Sequence, residues 1–116
     1  DALGEALEDI VAQGMVPFYV HATAGTTVMG DFDPLGKICD TAAAYHSWVH
    51  CDASWGGGVL FSKKHRARLF EGVEKCHSVS VCAHKLLGVP LHATVIVFRD
   101  GDVLQKCFSA GTAPPY

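Results

Sequence analysis

The 116-residue chain contains 49% hydrophobic and only 18% charged residues, and its formal net charge is −3. This slight negative charge, without any run of basic residues, argues against nucleic acid or an anionic membrane surface as a partner. The apolar stretches are the length of strands, so the sequence predicts neither a signal peptide nor a membrane-spanning helix. The high apolar content and short length favour one piece of a larger fold.

Cysteine and histidine are frequent, with five and seven residues, but they form no recognisable motif. The odd number of widely spaced cysteines, without a CxxC pair, is typical of reduced thiols in a cytosolic protein. Cys82 with His84, or His50 with Cys51 and Asp52, would each supply metal ligands. Because CxxC and HxxxH spacings are absent, we expect no metal site.

Helix and strand patterns alternate through the first part of the chain. Residues 2–13 place apolar side chains on one helical face, and Gly14 is positioned to end that helix. Residues 16–22 form a mostly apolar run that predicts a strand covered on both faces. The small residues 23–27 follow at its carboxyl end, where open α/β sheets bind ligands.

A second helix and strand come next. Asp33 is the expected N-cap and Pro34 the first helical residue. The expected buried stripe of this helix consists of Leu35, Ile38, Cys39, Ala42 and Ala43. A strand over residues 48–51 then leads into Asp52 and the small residues 53–58. On spacing alone, Asp52 is either a turn-capping residue or a functional carboxylate at a strand end.

The last part of the chain predicts one more helix and two strands. The helix, at about residues 63–70, carries four basic residues that we interpret as a solvated face rather than an anion site. Strands are expected at residues 78–83 and 94–98. Intervening helices imply a largely parallel sheet, although the short link between residues 85 and 94 leaves room for one antiparallel pair. Residues 111–116 resemble neither a helix nor a strand.

Lys85 follows the third predicted strand and is the candidate for covalent chemistry. Its apolar sequence neighbours favour a neutral amine, which can form a Schiff base with a carbonyl. The alternative is a surface lysine at the end of a strand. Together with Asp52 and the turn at residues 26–27, Lys85 would lie in one crevice. That set suits pyridoxal phosphate, which needs a lysine for its aldehyde and a carboxylate for its pyridine nitrogen.

With these residues in view, the chain resembles the glutamate decarboxylase-like, or group II, pyridoxal-phosphate-dependent decarboxylases. The similarity rests on six collinear segments that span most of the chain. They are Val16-Pro17-Phe18, Ala22-Thr23-Ala24-Gly25-Thr26-Thr27, Phe32-Asp33-Pro34, His50-Cys51-Asp52-Ala53-Ser54-Trp55-Gly56-Gly57-Gly58, Lys64-His65-Arg66, and His84-Lys85 with Leu87-Gly88-Val89-Pro90.

The resemblance implies a role for five residues. Lys85 matches the Schiff-base lysine, Asp52 the partner of the pyridine nitrogen, and Ser54 the small residue on one face of the ring. Thr27 matches a hydroxyl residue that contacts the cofactor, and His84 a histidine near the phosphate. The resemblance also implies the central part of a fold-type-I large domain, with a mostly parallel sheet, in a cytoplasmic homodimer.

The chain departs from the family pattern at three places. Cys82 and Ala83 stand where the family has Asn-Pro, which removes an amide beside the lysine and bears on activity. Cys51 replaces a valine of similar size, a harmless change, and the match fades beyond Phe98. A decarboxylase segment acting on glutamate, cysteine sulfinate or aspartate is the first hypothesis. An inactive fragment or pseudoenzyme, and a transaminase or lyase on the same scaffold, are the alternatives. We expect the 116-residue segment alone to be inactive and poorly soluble.

Overall fold

The computed structural model describes residues 1–109, which form one four-stranded sheet with flanking helices. The strands are β1 (Tyr19–Thr23), β2 (Trp48–Asp52), β3 (Ser78–Cys82) and β4 (Thr94–Phe98), and they lie in this order across the sheet. The α-helices are α1 (Ala2–Ala12), α2 (Leu35–Ala43), α3 (Lys63–Leu69) and α4 (Val103–Phe108). Two 3-10 helices cover Gly56–Phe61 and Val73–Lys75. Residues 111–116, for which the sequence predicted no regular structure, lie outside the described residues.

The sheet is mixed, as the α/β pattern predicted. β1 pairs with β2 and β2 with β3 in parallel, whereas β3 and β4 are antiparallel. The helix-containing connections return the chain to the same end of the sheet, which is what parallel neighbours require. The short link before β4 contains no such crossover, so its strand runs the opposite way. Both the parallel strands and the antiparallel pair are therefore confirmed.

One face of the sheet forms the core. Val20 and Ala22 of β1 and Val49 and Cys51 of β2 are buried, and α2 packs against both strands.

The buried stripe predicted for α2 is mostly confirmed. Leu35, Cys39 and Ala42 are buried, and Ile38 packs against the core from a partly buried position. Ala43 was wrongly predicted to be buried and is exposed, because it lies at the last helical position, beyond the contact with the sheet.

The opposite face is open, and the prediction of strands covered on both faces was wrong. Burial alternates along β1: Tyr19 and His21 are exposed, whereas Val20 and Ala22 are buried. In β4 the three apolar residues Val95, Ile96 and Val97 are all more than half exposed. Since consecutive side chains point to opposite faces, β4 lacks cover on both sides within residues 1–109.

The start of β1 and the cap of α2 also differ from expectation. Pairing begins at Tyr19 rather than at Val16, because its parallel partner β2 begins only at Trp48. Asp33 is not the side-chain cap of α2: its Oδ2 accepts a hydrogen bond from the backbone N–H of Thr23 at 2.7 Å, and Pro34 takes the N-cap position. The carboxylate of Asp33 therefore holds the end of β1.

The remaining helix predictions are confirmed. The helix α1 ends next to Gly14, which has a left-handed φ of 76° that favours glycine. All four basic side chains of α3 are exposed: they are Lys63, Lys64, Arg66 and Arg68. Within residues 1–109, no helix is both long and apolar enough to cross a membrane.

Candidate functional site

The carboxyl ends of the three parallel strands meet at one edge of the sheet. The register pairs Thr23 of β1 with Asp52 of β2, and Asp52 with Ser80 of β3. The loops that follow these strands carry the other candidates, which are Thr27 after β1, Ser54 after β2, and His84 and Lys85 after β3. This is the edge at which open α/β sheets bind ligands.

The first two loops are fastened to each other by backbone hydrogen bonds. The N–H of Ala24 donates to the carbonyl of Asp52 at 2.8 Å, and the N–H of Gly56 donates to the carbonyl of Ala24 at 3.2 Å. A Cβ on Gly56 would overlap the carbonyl oxygen of Ala24 and lie 2.8 Å from Cζ of Phe32. The approach of these loops therefore depends on glycine at position 56.

We expect Gly56→Ala to destabilise the protein by about 1–3 kcal/mol, because the added methyl group forces the two loops apart. Urea denaturation of the full-length protein measures the loss in the free energy of unfolding. Gly101→Ala is the matched control, since a Cβ at position 101 meets no heavy atom within 4 Å. Equal stability of the two variants would contradict this account of the loop contact.

Asp52 uses its two carboxylate oxygens differently. Oδ1 accepts hydrogen bonds from the N–H of Ser54 at 2.8 Å and from the hydroxyl of Ser80 at 3.2 Å. Within residues 1–109, Oδ2 accepts no hydrogen bond, and Nε2 of His21 lies 4.0 Å from it. Partial burial opposes ionisation, but the interactions with Ser54, Ser80 and His21 outweigh it and lower the pKa of Asp52. The end of β2 thus carries an ionised carboxylate whose Oδ2 is available to accept a hydrogen bond.

Lys85 lies in a compact turn directly after β3. Its N–H donates to the carbonyl of Cys82 at 3.2 Å, and its own carbonyl accepts from the N–H of Gly88 at 3.1 Å. The residue is partly buried, whereas Leu86 and Leu87 are exposed. The turn thus fixes the backbone of Lys85 just beyond the end of β3, the strand that neighbours the one ending in Asp52.

His84 fastens this turn to the start of β4. Its Nδ1 accepts a hydrogen bond from the N–H of Ala93 at 3.1 Å, and its ring meets the edge of His92 at a centroid distance of 4.8 Å. Ser54 is partly buried and donates its N–H to Asp52. Thr27 is exposed in a turn, and within residues 1–109 its hydroxyl makes no hydrogen bond. The structure therefore ties Asp52, Ser54 and His84 into the fold, but not Thr27.

Cys82 and His21 also belong to this neighbourhood. Sequence reasoning considered Cys82 only as a rejected metal ligand and as a departure from the family pattern, and it gave His21 no role. The thiol of Cys82 lies 3.2 Å from Oγ1 of Thr94. The pKa of Cys82 is lowered overall. Hydrogen bonds with Thr94 and Ser54 and the charge of Lys85 cause this shift, and the charge of Asp52 opposes it. His21 pairs with His50, two residues before Asp52, and lies on the same face of the sheet as Asp52. The period of two along β1 predicts the face on which His21 lies.

Two surface cavities in residues 1–109 lie away from Asp52 and Lys85. One of about 490 Å³ is lined by the start of α2 and by residues around Arg68 and Gly72. The other, of about 430 Å³, lies beside Cys39, His77 and Arg99. Neither cavity is lined by Asp52 or Lys85.

Comparison with known proteins identifies the family. The profile of the pyridoxal-dependent decarboxylase conserved domain matches residues 1–113. The chain belongs to the pyridoxal-dependent decarboxylase family. Among curated relatives of this family is a glutamate decarboxylase of Drosophila melanogaster, 48% identical over 96 residues. These residues are 83% of this chain and 19% of the relative, so the chain spans about a fifth of that protein.

Solved structures of this family have the same fold. Mouse CSAD superposes with a TM-score of 0.87 at 39% identity, over 97% of this chain and 24% of that one. Oryza sativa TDC, solved with PLP and tryptamine, gives a TM-score of 0.87 at 38% identity, over 97% and 22% of the two chains. A glutamate decarboxylase domain from Vibrio parahaemolyticus gives 0.85 at 34% identity, over 92% and 23%. The predicted fold class, part of the fold-type-I sheet, is confirmed.

The residues at the strand ends fit pyridoxal phosphate chemically. They include a primary amine at Lys85, and a carboxylate at Asp52 whose pKa is lowered and whose Oδ2 is available. Gly57 and Gly58 line the loop after β2, where added Cβ atoms would overlap Val81 at 2.6 Å and Leu86 at 2.9 Å. These glycines therefore let the loop after β2 pack directly against Val81 of β3 and Leu86 of the Lys85 turn.

Proposed function

We propose that this protein is a pyridoxal-phosphate-dependent amino-acid decarboxylase and that its 116 residues form part of the large domain. The observation that carries the proposal is that the turn containing Lys85 and the ionised carboxylate of Asp52 lie at the ends of two adjacent strands. The Lys85 turn follows β3, while Asp52 ends β2 and keeps Oδ2 without a hydrogen bond in residues 1–109. The membership of the family supports it.

Each candidate residue has a definite task in this proposal. Lys85 would hold the cofactor through its amine, and Asp52 would supply the carboxylate for its pyridine nitrogen. Ser54 would pack against the ring, Thr27 would contact the cofactor through its hydroxyl, and His84 would lie near the phosphate. When bound, pyridoxal phosphate supplies a ring that withdraws electrons from the substrate's α-carbon.

The geometry explains why Asp52 is suited to this task. Its Oδ1 is fixed by Ser54 and Ser80, so the carboxylate cannot rotate freely and Oδ2 keeps one direction. The lowered pKa keeps Asp52 charged, which stabilises a positive charge on a partner nitrogen. Asp52 thus combines turn capping through one oxygen with ligand binding through the other.

We propose an acidic amino acid, such as glutamate, cysteine sulfinate or aspartate, as the substrate. The support is the glutamate decarboxylase of Drosophila melanogaster at 48% identity. The neighbour TDC was solved with tryptamine, so the shared fold also accommodates a different substrate class. We further propose that the full-length protein is a cytoplasmic homodimer. The isolated segment is expected to be poorly soluble, because it exposes apolar residues of β4 on both faces, and inactive, because the proposed active site needs residues outside the segment.

An inactive pseudoenzyme is the second candidate, and one observation favours it. Cys82 and Ala83 replace an Asn-Pro pair immediately before His84 and Lys85. The thiol of Cys82 contacts Thr94 and lies close to Lys85, so the substitution alters the surroundings of the proposed cofactor lysine. A pseudoenzyme would keep the fold without turnover.

Two measurements on the full-length protein test the proposal. Titration with pyridoxal phosphate should produce the absorbance band of a lysine-bound cofactor, and carbon dioxide should be released from at least one acidic amino acid. Bound cofactor without carbon dioxide release from any amino acid would support the pseudoenzyme, and transfer of the amino group would indicate a transaminase. Absence of the absorbance band would overturn cofactor binding altogether.

A further inference from the structure

We propose that His21 is a positioning residue for Asp52, a role that rests on the proposed function of the same site. His21 lies in the middle of β1 and on the open face of the sheet, where β1 pairs with β2. Its Nε2 is 4.0 Å from Oδ2 of Asp52, which is the carboxylate oxygen without a hydrogen bond in residues 1–109. His21 thus approaches the oxygen that the proposed function assigns to the cofactor.

The contact is electrostatic rather than a hydrogen bond, because 4.0 Å exceeds the range of an N–H···O bond. At this distance the imidazole of His21 is among the groups that lower the pKa of Asp52 and so favour the ionised carboxylate. From the other side, Ser54 and Ser80 hold Oδ1. Hydrogen bonds therefore fix Oδ1 of Asp52, and His21 lies near Oδ2. Within residues 1–109, Oδ2 still accepts no hydrogen bond.

A second imidazole is nearby, but it is committed elsewhere. The rings of His21 and His50 are 5.7 Å apart, and Nδ1 of His50 lies 2.7 Å from the hydroxyl of Ser78. That hydroxyl also accepts a hydrogen bond from Nε1 of Trp48. Burial and the neighbouring His21 lower the pKa of His50, although Asp52 opposes this effect. His50 is thus disfavoured as a cation, and His21 is the imidazole that supports Asp52.

The test is a double-mutant cycle in the full-length protein, with the dissociation constant of pyridoxal phosphate as the readout. The side chains of His21 and Asp52 are 49% and 37% exposed, so their interaction is screened by solvent. We therefore expect His21→Ala to weaken cofactor binding by about two- to fivefold. The absorbance spectrum of the bound cofactor should also change, because it reports protonation of the ring. In an Asp52→Asn background, His21→Ala should have no further effect.

Two more variants make the result specific. His21→Gln keeps a side-chain N–H donor near the position of Nε2, and its dissociation constant should fall between those of the wild type and His21→Ala. His65→Ala removes an exposed histidine of α3 and should leave cofactor binding unchanged. Unchanged binding in His21→Ala, or equal weakening with and without the Asp52 carboxylate, would overturn the proposed role of His21. A wild-type protein that binds no pyridoxal phosphate would instead overturn the proposed function.

Discussion

Replacement of Lys85 by alanine is expected to abolish the covalent attachment of pyridoxal phosphate in the full-length protein. Borohydride reduces the carbon–nitrogen double bond between a lysine and the cofactor aldehyde, and so leaves a permanent label on that lysine. Alanine has no amine, so no such bond forms and the label is lost. The turn of residues 83–88 is held by backbone hydrogen bonds, including that from Lys85 N–H to Cys82, so the fold should survive the change.

The measurement is mass spectrometry of peptides after reduction with borohydride. Wild-type protein should carry the label on Lys85 alone, and Lys85→Ala should carry none. Lys63→Ala and Lys64→Ala are matched controls, because both lysines are exposed on α3 and their removal should leave the label on Lys85. A label found on Lys63 or Lys64 in the wild-type protein would show that Lys85 is not the attachment site.

Sequence patterns were sufficient to predict most of the fold. Hydrophobic periodicity gave the order of the first three α-helices and the four strands, because each element buries one face and the burial repeats with the period of the element. The helix α4 and the two 3-10 helices were not predicted. The strand β4 was predicted at its exact bounds, Thr94–Phe98. What failed was the degree of cover: apolar residues such as Val95 and Val97 indicate a strand suited to burial, and sequence cannot show what covers it.

Local hydrogen bonding was harder to predict than periodicity. Asp33 has the position and chemistry of an N-cap, yet its carboxylate binds the N–H of Thr23, ten residues earlier in the chain. Such a choice depends on the three-dimensional approach of two segments, which no local pattern encodes. Asp52 shows the opposite case, since the predicted turn cap is seen at Oδ1, whereas its functional role stays a prediction for Oδ2.

The candidate site followed from sequence only in part. The positions of Asp52 and Lys85 at strand ends were predictable, because parallel strands bring their carboxyl ends to the same edge. The approach of His21 to Asp52 requires the register between β1 and β2, which the sequence does not specify. The contact between Cys82 and Thr94 likewise requires the antiparallel register of β3 and β4. The roles of all five candidate residues remain proposals that mutation will test.

Asp52→Asn is expected to leave the protein folded while reducing turnover on the order of 100-fold. The asparagine Oδ1 can still accept from the N–H of Ser54 and the hydroxyl of Ser80, so the turn after β2 keeps its hydrogen bonds. The amide nitrogen then takes the place of Oδ2 and points an N–H donor where the pyridine nitrogen needs an acceptor. The negative charge that favours a protonated pyridine nitrogen is lost as well.

Carbon dioxide release at saturating pyridoxal phosphate separates this effect from weaker cofactor binding, and thermal unfolding checks the fold. Asp9→Asn provides the matched control, because Asp9 is an exposed carboxylate of α1 and the change should alter neither turnover nor unfolding. If Asp52→Asn turned over substrate at nearly the wild-type rate, Asp52 would be only the residue that caps the Ser54 turn. A large loss of turnover with an unchanged melting temperature would instead assign Oδ2 to the chemistry, since Oδ1 alone accounts for the hydrogen bonds of the turn.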